Sequence, residues 1–495
     1  MKKLMCLLLS VLLLVVTGCA AGSGNSLSDA GGMGDSMSNY APGEDYNEDQ
    51  YLEIKEADYV STEVNNKVNV SLDSSTAAYA NIRKLINNMY NIPKDAVNIE
   101  QMLNYFNYSY VNETEHQLTS FLEMAKCPWK ESSYLLSVAV QAKDYVIEED
   151  VANNFVFLID VSGSMYSNDK LPLLIEAFNI LIENLNENDR VSVVTYAGSE
   201  SVLLDGAYGH EKTKISAVIS DLTAGGSTAG SKGIKKAYEL AEKHFISGGN
   251  NRVFLATDGD FNVGINSITG LKHFISEKRN TGVYLSLFGF GTGNLKADTM
   301  DTLAQAGNGN YYYIDSILEA QKVFVTELGG TLQTVAKDAK VQVEFNKDVV
   351  SQYRLIGYEN KILTDEEFDN NETDAGEIGA GHTTVCLIEV VLKDEIEAGF
   401  EEIVKCTVRY KDVLDGELDK EVVTSLTNVT IAPSHDFLFQ TAVVEFGLVL
   451  RDSKYKGEAS LESIIERVNK AVYQQDTFKK EFLQLVIKYM EDYNR

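Results

Sequence analysis

The chain has 495 residues, of which 44% are hydrophobic and 23% are charged, a composition typical of a globular protein with a substantial core. This length predicts roughly two to four domains. Lys and Arg number 43 against 73 Asp and Glu, giving a net charge of −30. That charge repels nucleic acid, so we expect no nucleic-acid partner, and cations or basic surfaces fit better.

The first residues have the order of an export signal. Lys2 and Lys3 precede the apolar run 4–16, which is short for a membrane span, and small residues then lead to Cys19. The stretch VTGC resembles the lipobox of bacterial lipoproteins. The resemblance implies a signal peptide over residues 1–18, lipid attachment at Cys19, and an exported protein anchored in the cell membrane or outer membrane. An uncleaved N-terminal anchor is the alternative.

Residues 19–60 are rich in Gly, Ser, Asn and acidic side chains, which predicts a flexible acidic tether. Beyond it the cysteines are Cys127, Cys386 and Cys406, without the close spacing of a zinc site or a disulfide framework. Cys386 and Cys406 could pair, but separate burial as small hydrophobic residues is favoured.

Residues 61–150 predict a small α/β region. VNVSL alternates like a strand, and STAAYANIRKLINNMY has helical spacing, with Ser75 or Thr76 as its cap. A second amphipathic segment, DAVNIEQMLNYF, and the strand LLSVAVQAK follow.

The central region, residues 151–330, alternates apolar strands with amphipathic helices. Its strand candidates are NNFVFLIDV, DRVSVVTYA, SVLLDGA, NRVFLATD, GVYLSLFGFG and NYYYIDS. This order predicts a Rossmann-like, doubly wound, mainly parallel sheet covered by helices on both faces. Such folds bind ligands beyond the carboxyl ends of their strands.

Residues 335–495 predict a β-rich domain with terminal helices, preceded by a helix over residues 316–336. Because the central region interrupts the α/β region and the β-rich region in sequence, we expect the two flanks to complete one module.

Polar side chains follow the central strands where each strand ends. Asp160, Ser162 and Ser164 come directly after FVFLI, Thr228 lies in the glycine-rich turn GGSTAGSKGI, and Asp258 ends the strand VFLAT. These segments meet at one edge if the sheet is doubly wound. Carboxylates and hydroxyls suit a hard divalent cation such as Mg²⁺.

The motifs DVSGSM, GGST and ATDGD, in this order, resemble the von Willebrand factor type A domain and its metal-ion-dependent adhesion site. The resemblance covers about residues 154–326. It implies that Ser162, Ser164 and Thr228 supply hydroxyl ligands to Mg²⁺, Mn²⁺ or Ca²⁺, and that Asp160 and Asp258 bind the metal directly or through water. It also implies an open coordination position for an acidic side chain of a protein partner.

The flanks resemble YfbK-like lipoproteins through LDSSTAAYANIRKLINN, IEQMLNYFNYSY, RLIGYEN and DAGEIGAGHTTV. We call residues 151–330 the A domain. The resemblance implies a von Willebrand-associated region before the A domain and a YfbK-like domain after it. Ser74 stands where an acidic residue is expected, which leaves a role for that loop in doubt.

The sequence favours a binding protein of adhesion or envelope assembly over an enzyme, because H-x-x-x-H, G-x-S-x-G and P-loop motifs are missing from it. Two alternatives stay open. One is a structural scaffold whose metal holds loops together, and the other is a metal-dependent hydrolase.

Overall fold

The computed structural model describes residues 49–72, 75–144, 151–226, 231–259, 267–327, 334–393, 402–416, 418–471 and 476–493. The predicted signal peptide, Cys19, Ser74 and Thr228 lie outside these ranges. Cys127, Cys386 and Cys406 are buried and free, so the possible Cys386–Cys406 disulfide is not formed. Within the described ranges, every helix is too short or too polar to cross a membrane.

The N-terminal flank supplies four strands and two α-helices. They are β1 (Val60–Ser61), β2 (Lys67–Ser71), α1 (Ala77–Asn87), α2 (Ile99–Leu103), β3 (Leu118–Lys126) and β4 (Tyr134–Ala142). Thr76 is the N-cap residue of α1, but its side chain makes no capping hydrogen bond. Gln101 Oε1 instead accepts from Ala78 N at 3.1 Å, so α2 helps to cap α1.

The A domain is the predicted doubly wound sheet. Its elements are β5 (Asn153–Asp160), α3 (Leu171–Glu183), β6 (Arg190–Tyr196), β7 (Glu200–Tyr208), α4 (Lys212–Ser220), α5 (Ser231–Lys243), β8 (Asn250–Thr257), α6 (Ile268–Arg279), β9 (Val283–Phe290), α7 (Ala297–Ala306), β10 (Tyr311–Ile314) and α8 (Ile317–Gln321). The strand order is β10-β9-β8-β5-β6-β7, parallel except for the antiparallel edge strand β7. The predicted fold class is therefore confirmed.

The helix predicted over residues 316–336 is wrong in its second half. The α-helix ends at Gln321, a π-helical turn covers Lys322–Glu327, and Thr334 already begins a strand. Val335, Ala336 and Ala339 are buried in the β-rich core. Residues 334–336 continue the helical spacing of apolar residues, but they form part of a strand because their side chains pack in this core.

The C-terminal flank contains the strands β11 (Thr334–Phe345), β12 (Val350–Ile356), β13 (Ile362–Leu363), β14 (Gly376–Gly379), β15 (Thr383–Leu392), β16 (Val404–Asp412) and β17 (Leu418–Leu426). Its α-helices span Asp365–Asp369, His435–Leu450, Leu461–Lys470 and Thr477–Tyr493.

The two flanks share both of their sheets. One sheet has the order β1-β12-β15-β4-β3, and the other has the order β13-β2-β11-β16-β17, with β14 also paired to β11. Val70 pairs with Val341, and Val138 pairs with Cys386. The flanks therefore form one module, which we call the flanking module (residues 60–142 and 334–493).

Alternation along β4 explains how the flanking module packs. Leu136, Val138 and Val140 belong to the core between the two sheets, whereas Leu135 and Ala139 belong to the core with the C-terminal helices. Successive side chains of a strand point to opposite faces, so a strand buried on both faces reads as continuously apolar. The interior strand β4 thus contributes to both cores.

Residues 49–59, which the sequence assigns to the tether, contact the A domain and the flanking module. Asp49 Oδ1 accepts from Gly293 N at 2.9 Å and from Leu295 N at 2.7 Å. Asp58 Oδ1 accepts from Lys454 Nζ at 2.7 Å. Residues 49–59 are therefore hydrogen-bonded to the A domain near their first residue and to the flanking module near their last.

Helix α1 connects the flanking module to the A domain through charged side chains. Arg83 Nη2 lies 2.5 Å from Asp315 Oδ1 and 2.6 Å from Glu319 Oε2, and all three side chains are buried. Lys84 Nζ lies 2.9 Å from Asp169 Oδ2 in the loop before α3. Of these three acids, Asp315 directly follows β10, Glu319 lies in α8, and Asp169 lies in the loop between β5 and α3. The contacts of α1 are therefore at the carboxyl edge of the A-domain sheet.

Candidate metal centre

Two neighbouring parallel strands deliver the predicted carboxylates to one edge. Ile159 of β5 pairs with Ala256 of β8, so Asp160 and Asp258 leave the sheet side by side. Both residues are completely buried. Because their strands end together, their charges lie close in a region that water reaches poorly.

The loop after β5 folds back so that its polar atoms gather near Asp160. Ser162 N donates to Asp160 Oδ1 at 2.8 Å, and Ser162 Oγ lies 3.0 Å from Ser164 Oγ. Residues Gly163–Tyr166 form a 3₁₀ turn, with Ser162 as its N-cap residue and Ser164 inside the turn. Ser162 is buried, whereas Ser164 is exposed to solvent.

The glycine-rich loop lies against the same turn through its backbone. Gly225 N donates to Val161 O at 2.8 Å, and Gly163 N donates to Gly226 O at 3.2 Å. Gly226 has a φ of +94°, a conformation that favours glycine. These contacts bring the chain to within two positions of Thr228, whose own placement lies outside the described residues.

Burial dominates the electrostatics of Asp160. It raises the pKa of that carboxyl to about 6, and the nearby Asp258 contributes in the same direction. Hydrogen bonds to Ser162 oppose the rise, as does the bond donated by Thr257 Oγ1 to Asp160 Oδ2 at 3.2 Å. A nearby cation would favour the ionised form.

Lys170 is a site residue that the sequence reasoning missed. Its Nζ lies 2.7 Å from Asp258 Oδ2, and its side chain is 9% exposed. A signal was available, because Lys170 directly precedes the predicted helix LPLLIEAF. A positive charge is unfavourable at a helix N-terminus, so a lysine there indicates an acidic partner.

Asp169, which directly precedes Lys170, is another charged residue in the loop after β5. Its carboxylate accepts from Ser167 Oγ at 2.6 Å and pairs with Lys84, and these contacts lower its pKa against the opposing effect of burial. It therefore belongs to the contact with α1. Asp260, two positions after Asp258, lies outside the described residues.

The donor set fits a hard divalent cation better than zinc. Within the described ranges, no group of three or more His, Cys, Asp or Glu side chains is placed to hold a metal. The gathered atoms are hydroxyl and carboxylate oxygens. Two adjacent ligands of an octahedral Mg²⁺, each at about 2.0–2.1 Å, lie about 2.9 Å apart. The two serine oxygens, 3.0 Å apart, match that separation.

Family models match nearly all of the described chain. One described as von Willebrand factor matches residues 45–137, one described as von Willebrand factor type A domain matches residues 154–326, and one described as Uncharacterized protein YfbK, C-terminal matches residues 330–491. The three matched ranges correspond to the N-terminal flank, the A domain and the C-terminal flank. Von Willebrand factor type A domains generally mediate interactions between proteins and commonly bind a divalent metal.

Two curated relatives and one solved structure are similar to this chain. Uncharacterized protein YfbK of Escherichia coli (strain K12) is 38% identical over 442 residues, 84% of this chain and 76% of the relative. Uncharacterized protein sll0103 of Synechocystis sp. is 24% identical over 335 residues, 65% of this chain and 76% of the relative. A structure titled von Willebrand factor type A from Catenulispora acidiphila is 15% identical, covers 74% of this chain and 90% of its own, and has a TM-score of 0.42.

The likeness to YfbK extends through both flanks and the A domain, and it agrees with the architecture described above. The von Willebrand factor type A domain and the homology to YfbK suggest a protein-interaction or adhesion role. The chain belongs to the YfbK family of proteins with a von Willebrand factor type A domain.

Proposed function

We propose that this protein is an exported, lipid-anchored adhesion or assembly factor. It binds Mg²⁺, or Mn²⁺ or Ca²⁺ in its place, and through the metal it binds an acidic group of a protein partner. The metal ligands are the oxygens of five residues, Asp160, Ser162, Ser164, Thr228 and Asp258. The metal neutralises the buried carboxylates and accepts the partner's carboxylate.

The observation that carries this proposal is the pair of hydroxyls, Ser162 Oγ and Ser164 Oγ, 3.0 Å apart beside two buried carboxylates. A pair of oxygens at the octahedral ligand spacing supports a metal with two adjacent hydroxyl ligands. Neutral hydroxyls contribute less than carboxylates to the affinity for a divalent metal. An acidic group from outside the chain would fill an open coordination position and strengthen the binding of the metal.

The exposure of the turn supports binding from solvent. Ser164 is exposed, and the side chain of Tyr166, two positions later, is 82% exposed. An exposed tyrosine beside a charged site offers apolar contact area and a hydroxyl, which is the kind of side chain enriched at protein interfaces. Partner and metal then bind cooperatively, and each raises the affinity of the other by the same factor.

The metal is tested by calorimetric titration of the purified protein with MnCl₂ and MgCl₂, with Asp160→Asn as the matched variant. We expect saturable binding by the native chain and weakening of roughly tenfold or more in the variant. Equal binding by both proteins would rule out Asp160 as part of the site.

The partner is tested by affinity capture from detergent-solubilised membranes in Mg²⁺ and in chelator. Proteins retained only in Mg²⁺, and lost with Asp160→Asn, are the expected partners. If metal changes the melting temperature but retains no protein, the metal holds loops in a scaffold instead. Metal-dependent hydrolysis that disappears in the variant would favour an enzyme.

The anchor is tested separately, because its evidence lies in the sequence. Mass spectrometry of the mature N-terminus should find a chain that begins at Cys19 and carries lipid. A Cys19→Ala variant should lose the lipid and leave the membrane fraction. A native chain that retains its first 18 residues would contradict this part of the proposal.

A further inference from the structure

Lys170 occupies a position that is unfavourable for a positive charge. It is the N-cap residue of α3, and its side chain makes no capping hydrogen bond. The N-terminal end of a helix carries a partial positive charge, so an ammonium group there is repelled. Lys170 is also buried, which adds the cost of removing its charge from water. A specific contact must offset both costs.

That contact is the ion pair with Asp258. Lys170 Nζ lies 2.7 Å from Asp258 Oδ2, at a carboxylate with no exposed surface. The methylene chain of the lysine passes over the backbone of Gly291, where a Cβ atom would lie 2.5 Å from both Lys170 Cγ and Lys170 Cε. The absence of a side chain at Gly291 therefore gives the lysine its path to Asp258.

The ion pair conflicts with the metal at the same residue. A divalent ion that binds Asp258, directly or through water, approaches an ammonium group already bound to that carboxylate. The two cations repel each other, and both compete for the same negative charge. The carboxylate of Asp258 is therefore neutralised in one of two ways, by lysine or by metal.

We propose that Lys170 is the built-in counter-cation of Asp258, and that a divalent ion enters the site by displacing the lysine's ammonium group from that carboxylate. This inference rests on the proposed metal site. The lysine lowers the metal affinity and keeps the loops folded while the metal is away. Metal binding then moves Lys170. The preceding residue, Asp169, pairs with Lys84 of α1.

The test is a titration of the full chain with Mn²⁺, comparing the native protein with Lys170→Met by calorimetry and by the electron paramagnetic resonance signal of free Mn²⁺. We expect the variant to bind Mn²⁺ roughly tenfold to a hundredfold more tightly, the range corresponding to one charged hydrogen bond. In chelator the variant should melt at a lower temperature than the native protein, since Asp258 loses the ammonium group that pairs with it. Mn²⁺ should raise its melting temperature more than that of the native protein.

Lys84→Met is the matched control, because it removes a nearby positive charge and leaves the Lys170–Asp258 contact in place. Its Mn²⁺ affinity should stay within about threefold of the native value, since a neighbouring charge without direct contact acts only at longer range. Lys170→Gln, with a neutral donor in place of the ammonium, provides a second variant if the methionine disrupts folding, and it should also bind Mn²⁺ more tightly.

The outcomes separate the two proposals. If neither the native chain nor the Lys170 variants bind Mn²⁺, the metal site itself is wrong. If native chain and variants bind with the same affinity, the metal site stands and the counter-cation role is overturned. A lower melting temperature in the variants without tighter binding also overturns it, because Lys170 would then act in folding alone.

Discussion

Lys84 Nζ of the flanking module lies 2.9 Å from Asp169 Oδ2 of the A domain, and the side chains are 14% and 32% exposed. The pair joins helix α1 to the loop that carries Lys170. A partly buried pair contributes more than an exposed one, so we expect Lys84→Met to lower the free energy of unfolding by about 1 kcal/mol. Urea denaturation measures this change.

Lys94→Met is the control for that substitution. Lys94 pairs with Asp452 at 3.1 Å, but both side chains are more than half exposed, at 61% and 63%. Its removal should change stability only slightly, since water screens such pairs. Equal effects of the two substitutions would mean that the Lys84 contact does not hold the A domain to the module.

The two hydroxyls of the site can be removed without altering its charge. Ser162→Ala together with Ser164→Ala should weaken Mn²⁺ binding by roughly tenfold or more, because the metal loses two oxygen ligands. Ser167→Ala removes a hydroxyl from the same loop that contacts Asp169 instead, and it should bind Mn²⁺ like the native chain. Calorimetric titration compares the three proteins, and equal affinities would exclude the hydroxyls as ligands.

Glu100 gives the flanking module a pH dependence. Burial raises its pKa to about 7, and Glu359 adds to the rise while backbone hydrogen bonds and Arg451 oppose it. Between pH 5 and 7 the native state therefore retains a proton that the unfolded chain releases. Stability should fall as pH rises through this window.

Glu100→Gln removes that contribution, so its free energy of unfolding should vary less with pH between 5 and 7 than that of the native chain. Urea denaturation at each pH measures the difference. The exposed glutamate Glu113 provides the control variant, Glu113→Gln, which should follow the native curve. Parallel curves for native protein and Glu100→Gln would contradict the assignment.

Arg83 is the buried centre of the contact between α1 and the A domain. Its guanidinium pairs with Asp315 and Glu319, whose side chains are 5% and 3% exposed. Arg83→Met removes the guanidinium group that pairs with both buried carboxylates, so we expect a loss of about 3–5 kcal/mol in the free energy of unfolding. Differential scanning calorimetry and urea denaturation both report it.

Arg409→Met is the comparison for Arg83. Arg409 also pairs with two acids, Asp369 and Glu421, but their side chains are 70% and 48% exposed. We expect a loss of no more than about 1 kcal/mol, because exposed ion pairs contribute little. A similar loss in both variants would show that burial does not determine the strength of these contacts.

Patterns within single segments were predictable. Alternating strands and helices identified the A-domain sheet, and the motif order placed Asp160 and Asp258 at the same edge. Both features depend on local periodicity and on the geometry of parallel sheets. We also predicted that the two flanks form one module, because the A domain lies between them in the sequence.

Contacts between distant segments were less predictable. Strand β3 and the pairing of Lys170 with Asp258 were not predicted, and the last A-domain helix was predicted to extend into what is β11. Helix capping of α1 depends on Gln101 rather than on Ser75 or Thr76. In each case the contact partner depends on tertiary packing, which cannot be predicted from residues that are adjacent in sequence.

The shared sheets of the flanking module have a consequence for the order in which the chain can fold. Strand β2 is bordered by β13 and β11, both of which follow the whole A domain in sequence. During synthesis the A domain can fold while β2 still lacks both of its neighbours and β4 still lacks β15, since only β3 precedes the A domain. Their apolar edges then stay open until the last third of the chain arrives, a slow step because the pairing is non-local. A chain shortened within the YfbK-like region would therefore release a finished A domain beside exposed strands, which favour aggregation.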